Sequence, residues 1–175
     1  MELGTDLIKI IFPAGLVLWA MYLTVSSFIK KDVVEKELAI KAETIKTLLP
    51  VRLQAYERMA LFLERISPNN LLIRLNGQTP NVVSFQQLML SEIREEFSHN
   101  LSQQVYMSDE AWMVVKNAMN ETVALINLSA RDLSPEASSL ELSKRIFEVI
   151  MDKNINPSEE ALTVIKREIR ENFMM

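Results

Sequence analysis

Residues 10–29 read IIFPAGLVLWAMYLTVSSFI, a run of twenty residues without a charged side chain. A helix rises about 1.5 Å per residue, so this run covers about 30 Å, the thickness of a bilayer's hydrocarbon core. The sequence therefore predicts a transmembrane anchor over residues 1–31. A cleaved signal peptide and a buried core helix are the alternatives. The residues before the run include Glu2 and Asp6 instead of a basic region, and no small-residue cleavage pattern follows, which favours a retained anchor.

The flanking charges indicate how the anchor is oriented. Lys30, Lys31 and Lys36 follow the run, whereas only Lys9 precedes it. Cytoplasmic flanks of membrane helices are enriched in Lys and Arg. We therefore expect a single-pass protein of the inner membrane whose C-terminal part lies in the cytoplasm.

A long helix is expected to leave the membrane over residues 32–66. This segment contains no Gly and one proline, Pro50, and it is rich in the strong helix formers Glu, Lys, Ala, Leu and Ile. Pro50 lacks the N–H that would bond to the carbonyl of Lys46, and its ring crowds the preceding turn. The sequence predicts a kink or a break near residues 47–50. A static bend and a working hinge are both compatible with this pattern.

The second half of this segment, residues 51–66 (VRLQAYERMALFLERI), is apolar around most of the helix circumference. Such a helix must be buried on several sides, either as the central helix of a domain or partly against another subunit. A seam with alternating spacings of four and three, as in coiled coils, passes through Leu38, Ala42, Ile45, Leu49, Arg52, Tyr56, Met59, Leu63 and Ile66. The residues of this seam chosen as a candidate protein interface are Arg52, Tyr56, Met59, Leu63 and Ile66.

Residues 49–75, LPVRLQAYERMALFLERISPNNLLIRL, resemble a family of small membrane-anchored proteins found in Bacteroidota. The family pattern reads LRLQAYERxxLFLERI, and Val51 stands here in place of the more usual Leu. The resemblance implies a bacterial inner-membrane setting and a mostly helical cytoplasmic domain. The family is uncharacterised, so the resemblance implies no catalytic or binding residues.

The rest of the chain, residues 67–175, predicts a helical cytoplasmic domain that packs with residues 51–66. Ser67 and Pro68 begin a short helix that Gly77 ends, although a hairpin between residues 71–75 and 82–85 is an alternative. We expect four further helices. Their predicted starts are a capping box of Ser84 with Gln87, then Ser108 or Asp109, then Ser134-Pro135-Glu136, and then Asn156-Pro157.

Apolar spacing predicts which residues of these four helices face the core. The first contributes Phe85, Leu88 or Met89, Ile93, Phe97, Leu101 and Val105, and the second Trp112, Val115, Met119, Val123, Ile126 and Ala130. The third contributes Leu140, Ile146, Phe147 and Ile150, and the last Leu162, Ile165, Ile169 and Phe173. The predicted fold class is all-α, with a transmembrane helix, a long helix and a bundle-like domain.

Composition excludes several kinds of chemistry. The chain has no Cys and one His, so cysteine-based metal sites, disulfides and a two-histidine site within one chain are excluded. The segment from Glu92 to His99 includes one Glu-x-x-His spacing, Glu96 with His99, but a di-iron bundle needs two such motifs and two more carboxylates. A solvated polar face explains these residues. We therefore expect no metal, no cofactor and no catalytic residue.

These observations predict a structural role in place of an enzymatic one. A net charge of −4 gives no basic surface for nucleic acid, and no small-molecule substrate is evident. We expect an accessory, scaffold or adaptor subunit of an inner-membrane complex, whose partners are the lipid bilayer and other proteins or further copies of itself. The alternatives are a sensor module that signals through a hinge at Pro50 and an enzyme with a carboxylate site around Glu92–His99.

Overall fold

The computed structural model describes the backbone of residues 2–173 and the side chains of residues 11–171. Within that range the chain forms six α-helices, one short 3₁₀ helix and no β-strand, so the predicted all-α class is confirmed. The helices are α1 (Glu2–Ile66), α2 (Pro68–Leu75), α3 (Val82–Asn100), α4 (Asp109–Arg131), α5 (Ser139–Lys153) and α6 (Pro157–Phe173), with the 3₁₀ helix (Leu101–Tyr106) between α3 and α4.

The chain divides into two units, Met1–Leu48 and Leu49–Met175, and we call the second one the head. The α-helix continues through Pro50 without interruption, so a break at that position does not occur. In the first unit nearly every described side chain is exposed. This part of α1 is long and apolar enough to cross a membrane, as its length and composition predict.

The core of the head is built around residues 49–66 of α1. Phe62 contacts Phe97 of α3 with ring centroids 5.7 Å apart, and Phe97 stacks on Trp112 of α4 at 5.4 Å. These contacts between aromatic rings connect α1, α3 and α4. The largest fully buried side chains of the head are Tyr56, Phe62, Phe85, Met59, Leu63, Ile66, Leu71, Leu75, Met89, Ile93, Ile126 and Leu142.

Three helices begin where the sequence predicts. Helix α2 begins at Pro68, directly after Ser67. The side chain of Ser108 accepts a hydrogen bond from the N–H of Ala111 at 3.0 Å and thereby caps α4. Helix α6 begins at Pro157, with Glu159 and Glu160 in its first turn near the positive end of the helix dipole. The side chain of Phe173, predicted to face inward, lies outside the described side chains.

The cap of helix α3 is Asn81, three residues before the predicted cap at Ser84. Asn81 has extended backbone angles, and its side chain accepts from the N–H of Ser84 at 2.9 Å, so Ser84 lies inside the first turn. The predicted capping box of Ser84 with Gln87 is therefore wrong. The predicted inward positions Leu101 and Val105 are also wrong, because the helix becomes 3₁₀ at Leu101 and both side chains are exposed.

Helix α5 begins at Ser139 instead of at Ser134-Pro135-Glu136. Ser138 and Glu141 form a complete capping box, in which each side chain accepts a hydrogen bond from the other residue's backbone N–H. The buried face also differs from the predicted one. Leu142, Ile146 and Val149 are buried, whereas Leu140 and Phe147, both predicted inward, are exposed.

The loop after α2 makes no hairpin, so the alternative of two paired strands is wrong. Leu71–Leu75 is helical, and Gly77 has a φ of +73° in the turn beyond it, which a residue without a Cβ adopts at low cost. An isolated antiparallel bridge joins Asn81 to Ser138 instead. This bridge ties the starts of α3 and α5 together.

Candidate functional site

The predicted interface residues lie mostly inside the head. Tyr56, Met59, Leu63 and Ile66 are each at most 1% exposed, because the head's own helices surround them. Arg52 is half-buried, and its Nε donates to the carbonyl oxygen of Tyr106 at 3.1 Å. As a protein interface the five residues remain a prediction, but four of them are already enclosed by this chain. The burial agrees with the interpretation of residues 51–66 as the central helix of the domain.

Tyr56 forms a polar junction within this core. Its hydroxyl donates to Oε1 of Glu168 on α6 at 2.5 Å, and it accepts from the N–H of Ser108 at 3.4 Å. Burial raises the pKa of the Tyr56 hydroxyl, and the hydrogen bond to Glu168 raises the pKa further. The junction therefore holds a protonated tyrosine and joins α1 to the start of α4 and to α6. Its role is structural, since the hydroxyl is enclosed.

A charged groove lies on the opposite side of this helix, between α1 and α3. It encloses a cavity of about 600 Å³ and is lined by Arg58, Leu61, Arg65, Glu92, Glu95, Glu96, His99 and Asn100. The polar stripe predicted on α3 thus faces two arginines of α1. Glu92 and Glu96 are half-buried there, whereas Glu95 and His99 are exposed.

Two ion pairs involve the glutamates that line the charged groove. Arg65 Nε lies 3.0 Å from Glu96 Oε2, and Arg74 of α2 pairs with Glu92. The side-chain amide of Asn100 donates to the carbonyl oxygen of Glu96 at 2.8 Å. Two of the three carboxylates are thereby neutralised by arginines, which leaves little charge to attract a metal ion.

Glu96 and His99 have no third metal-ligating side chain arranged beside them in the described part of the chain. No group of three His, Asp or Glu residues there is arranged to hold a metal ion. Arg58, Glu95 and His99 form no ion pair with any described residue. The groove thus presents a positive group on one wall, an acid and an imidazole on the other, and the exposed apolar side chain of Leu61 between them. Such a surface can contact a protein with complementary charges.

A second cavity, of about 460 Å³, was not predicted from the sequence. It lies where α1 ends, α2 begins and α5 meets α6, and Ser158 is one of its lining residues. Ser158 is buried, and its Oγ has no hydrogen-bond partner among the described residues. No sequence signal marks this cavity, because it arises from the packing of four separate helix ends.

Comparison with known proteins places the chain in a family. One family model matches residues 2–172, almost the entire chain. The chain belongs to the family of unknown function DUF7935. No curated protein and no solved structure matches it. The DUF7935 match confirms the resemblance to an uncharacterised family. Because the matched range includes the apolar part of α1 and all the helices of the head, both parts belong to the DUF7935 unit.

Proposed function

We propose that this DUF7935 protein is a membrane-anchored accessory subunit, a scaffold or adaptor within an inner-membrane protein complex. Its anchor is the apolar stretch of α1, and its head lies in the cytoplasm. The protein performs no catalysis of its own. Its role is to hold a helical surface close to the membrane, where other subunits bind to it.

The observation that supports this proposal is that a single helix, α1, contains both the apolar stretch and part of the buried core of the head. One helix includes both the uncharged residues 10–29 and, further along, the fully buried Tyr56, Phe62 and Leu63 at the centre of the head. A partner bound to the head would therefore be joined to the membrane by one continuous α-helix. Such a link would keep a bound partner close to the membrane, as a scaffold does.

The head offers one surface suited to a protein partner. Leu61 is 56% exposed in the charged groove, with Arg58 and Arg65 on its own helix beside it. An apolar side chain ringed by charged groups resembles the centre and rim of a protein interface. The paired carboxylates and the lack of a metal cluster in the described region give no comparable support for catalysis.

The anchor and its orientation are tested by fractionation. The full-length protein should remain in membranes washed with alkaline carbonate, and a C-terminal reporter active only in the cytoplasm should be active. Release by carbonate would contradict the anchor. A reporter active only in the periplasm would contradict the orientation while leaving the anchor intact.

The accessory role is tested by purification from native membranes in mild detergent, followed by mass spectrometry of the intact complex. We expect at least one other polypeptide in defined stoichiometry, and we expect Leu61→Asp to release it. Ile73→Asp is the matched control, because Ile73 on α2 is also exposed, at 69%, but lies outside the groove. A protein that purifies without any other polypeptide would refute the subunit proposal.

A further inference from the structure

Helix α1 lacks one backbone hydrogen bond where it enters the head. Pro50 has no N–H, so the carbonyl oxygen of Lys46 receives no hydrogen bond from the residue four positions later. The proline ring also crowds the preceding turn and opens it slightly. The helix continues through this position, but the turn of residues 46–50 is held by one hydrogen bond fewer than an ordinary turn.

Two threonines perturb the turns immediately before Pro50. Oγ1 of Thr44 donates to the carbonyl oxygen of Ile40 at 2.8 Å, and Oγ1 of Thr47 donates to the carbonyl oxygen of Glu43 at 3.1 Å. A hydroxyl that bonds to the carbonyl four residues earlier slightly destabilises a helix and often bends it. The two threonines and the proline are spaced by three residues, so they fall within an arc of about 120°. All the perturbations therefore lie on one side of the helix.

The part of α1 before the head has no packing that would hold it straight. Every side chain of residues 33–48 is exposed, so no other described element covers this segment. Most helices in proteins are stabilised chiefly by the packing of a buried face. A segment without such a face keeps its shape only through its own hydrogen bonds, and it bends most easily where those bonds are fewest.

Immediately after Pro50, in contrast, α1 is fixed to other parts of the head. Arg52 Nε donates to the carbonyl oxygen of Tyr106 at 3.1 Å, and the buried hydroxyl of Tyr56 donates to Glu168 at 2.5 Å. Both contacts lie within two helical turns of the proline. Bending of α1 is therefore confined to the residues that precede Arg52.

We propose that residues 44–50 are a hinge, at which α1 bends to different angles while the parts before and after it keep their own structure. The segment stays helical throughout, since the loss of one hydrogen bond makes the helix easier to bend without ending it. The hinge goes beyond the proposed function and does not depend on it. Its consequence for an accessory subunit is that a partner bound to the head can move while the anchor stays in place.

The test measures the spread of distances between two spin labels in the full-length protein in mild detergent. The chain has no Cys, so the labels attach only to introduced cysteines. Ile40→Cys with Ile73→Cys spans the hinge, and Ile73→Cys with Met151→Cys lies within the head. These three side chains are 67%, 69% and 82% exposed, so the labels disturb no packing. Dilution with unlabelled protein restricts the measurement to distances within one chain. We expect a broader distribution for the pair that spans the hinge.

Pro50→Ala supplies the missing N–H and removes the ring, so the pair that spans the hinge should lose most of its excess width. Val51→Ala is the matched control, because it introduces the same residue one position later, where the backbone N–H is already present. It should leave the width unchanged.

Three outcomes would overturn the hinge. They are an unchanged width in Pro50→Ala, an equal narrowing in Val51→Ala, and a wild-type width no greater than that of the pair within the head. Each of them would indicate a helix with one fixed shape at Pro50. The measurement needs neither a membrane nor a partner, so such a result would leave the proposed accessory role to be decided by carbonate extraction and co-purification.

Discussion

Replacing Leu63 by alanine is expected to destabilise the head strongly. Leu63 is fully buried at the centre of the head, and truncating a buried leucine costs about 2–5 kcal/mol of the free energy of unfolding. For a head of about 125 residues, each kcal/mol lowers the melting temperature by about 3–5 °C. Taking about 3 kcal/mol as the central value, we expect Leu63→Ala to melt about 10–15 °C below the wild type.

The assay follows the fluorescence of one tryptophan in the detergent-solubilised full-length protein. The chain has two, Trp19 and Trp112, so Trp19→Phe leaves Trp112 as the only reporter. Its ring stacks on Phe97 and therefore reports directly on the packing of the head. Glu64→Gln is the control, because Glu64 is exposed and an exposed charge contributes only about 0–1 kcal/mol.

A more severe variant distinguishes a role of Leu63 in the core of the head from a role in a protein interface. Leu63→Asp places a carboxylate at a fully buried position without a partner, and it should cost more than Leu63→Ala. We expect it to abolish both the cooperative melting transition and the co-purification of partners. If Leu63→Ala melts within about 2 °C of Glu64→Gln, the residue is not at a packed centre and the reasoning about the head is refuted.

Three other predictions follow from particular contacts. The raised pKa of Tyr56 favours its protonated form in the folded head, so its contribution is complete below about pH 10 and is lost as the pH rises through the raised value. Urea unfolding at pH 8 and pH 11 should therefore show a smaller loss of stability in Tyr56→Phe than in the wild type. Asn81→Ala should cost about 1 kcal/mol in thermal unfolding, whereas Ser84→Ala should cost under about 0.5 kcal/mol; the reverse order would contradict the observed cap. Elemental analysis should find less than stoichiometric iron, zinc or manganese, and His99→Ala should leave the melting temperature unchanged; a stoichiometric metal lost in that variant would revive the enzyme hypothesis.

Helix starts were predictable where one cap had no competitor. Ser108 is followed by two acidic residues and a clear apolar spacing, and it caps α4 as expected. Before α3, Asn81 and Ser84 both have side chains that can accept from the backbone. Asn81 follows Pro80. A proline disfavours helical angles in the residue before it, here Thr79, but not in the residue after it, so Asn81 can cap the helix. The local sequence pattern alone does not show which of these two residues caps the helix.

Both the start and the buried side of α5 differ from the prediction. Ser134-Pro135-Glu136 has the composition of a helix start, but the complete capping box lies four residues later at Ser138. Residues 142, 146 and 149 have spacings of four and three and share one side of the helix, whereas Leu140 and Phe147, seven residues apart, lie on the opposite side, so the predicted set combined two sides. Val149 is buried and Phe147 is exposed, although the larger aromatic side chain of Phe147 is the one that the sequence pattern assigned to the core.

The sequence indicated which charged residues share a helix face at the charged groove, but it did not indicate that the two faces meet. The polar face from Glu92 to His99 was evident from its spacing, and Arg58 and Arg65, seven residues apart, share one side of α1. Their juxtaposition depends on how α3 packs against α1, which no local pattern specifies. Arg65 Nε lies 3.0 Å from Glu96 Oε2, so the glutamate of the Glu-x-x-His spacing is already paired with a cation of its own chain.

The place of the central helix in the chain has a consequence for synthesis. Residues 49–66 are translated before all the helices that enclose them, since α2 to α6 occupy residues 68–173. At about 5–20 residues per second, the ribosome needs about 5–20 seconds to make that remainder. Until those helices have formed, Phe62 and Leu63 lack the side chains that bury them in the folded head, and transiently exposed apolar surface of this kind favours aggregation.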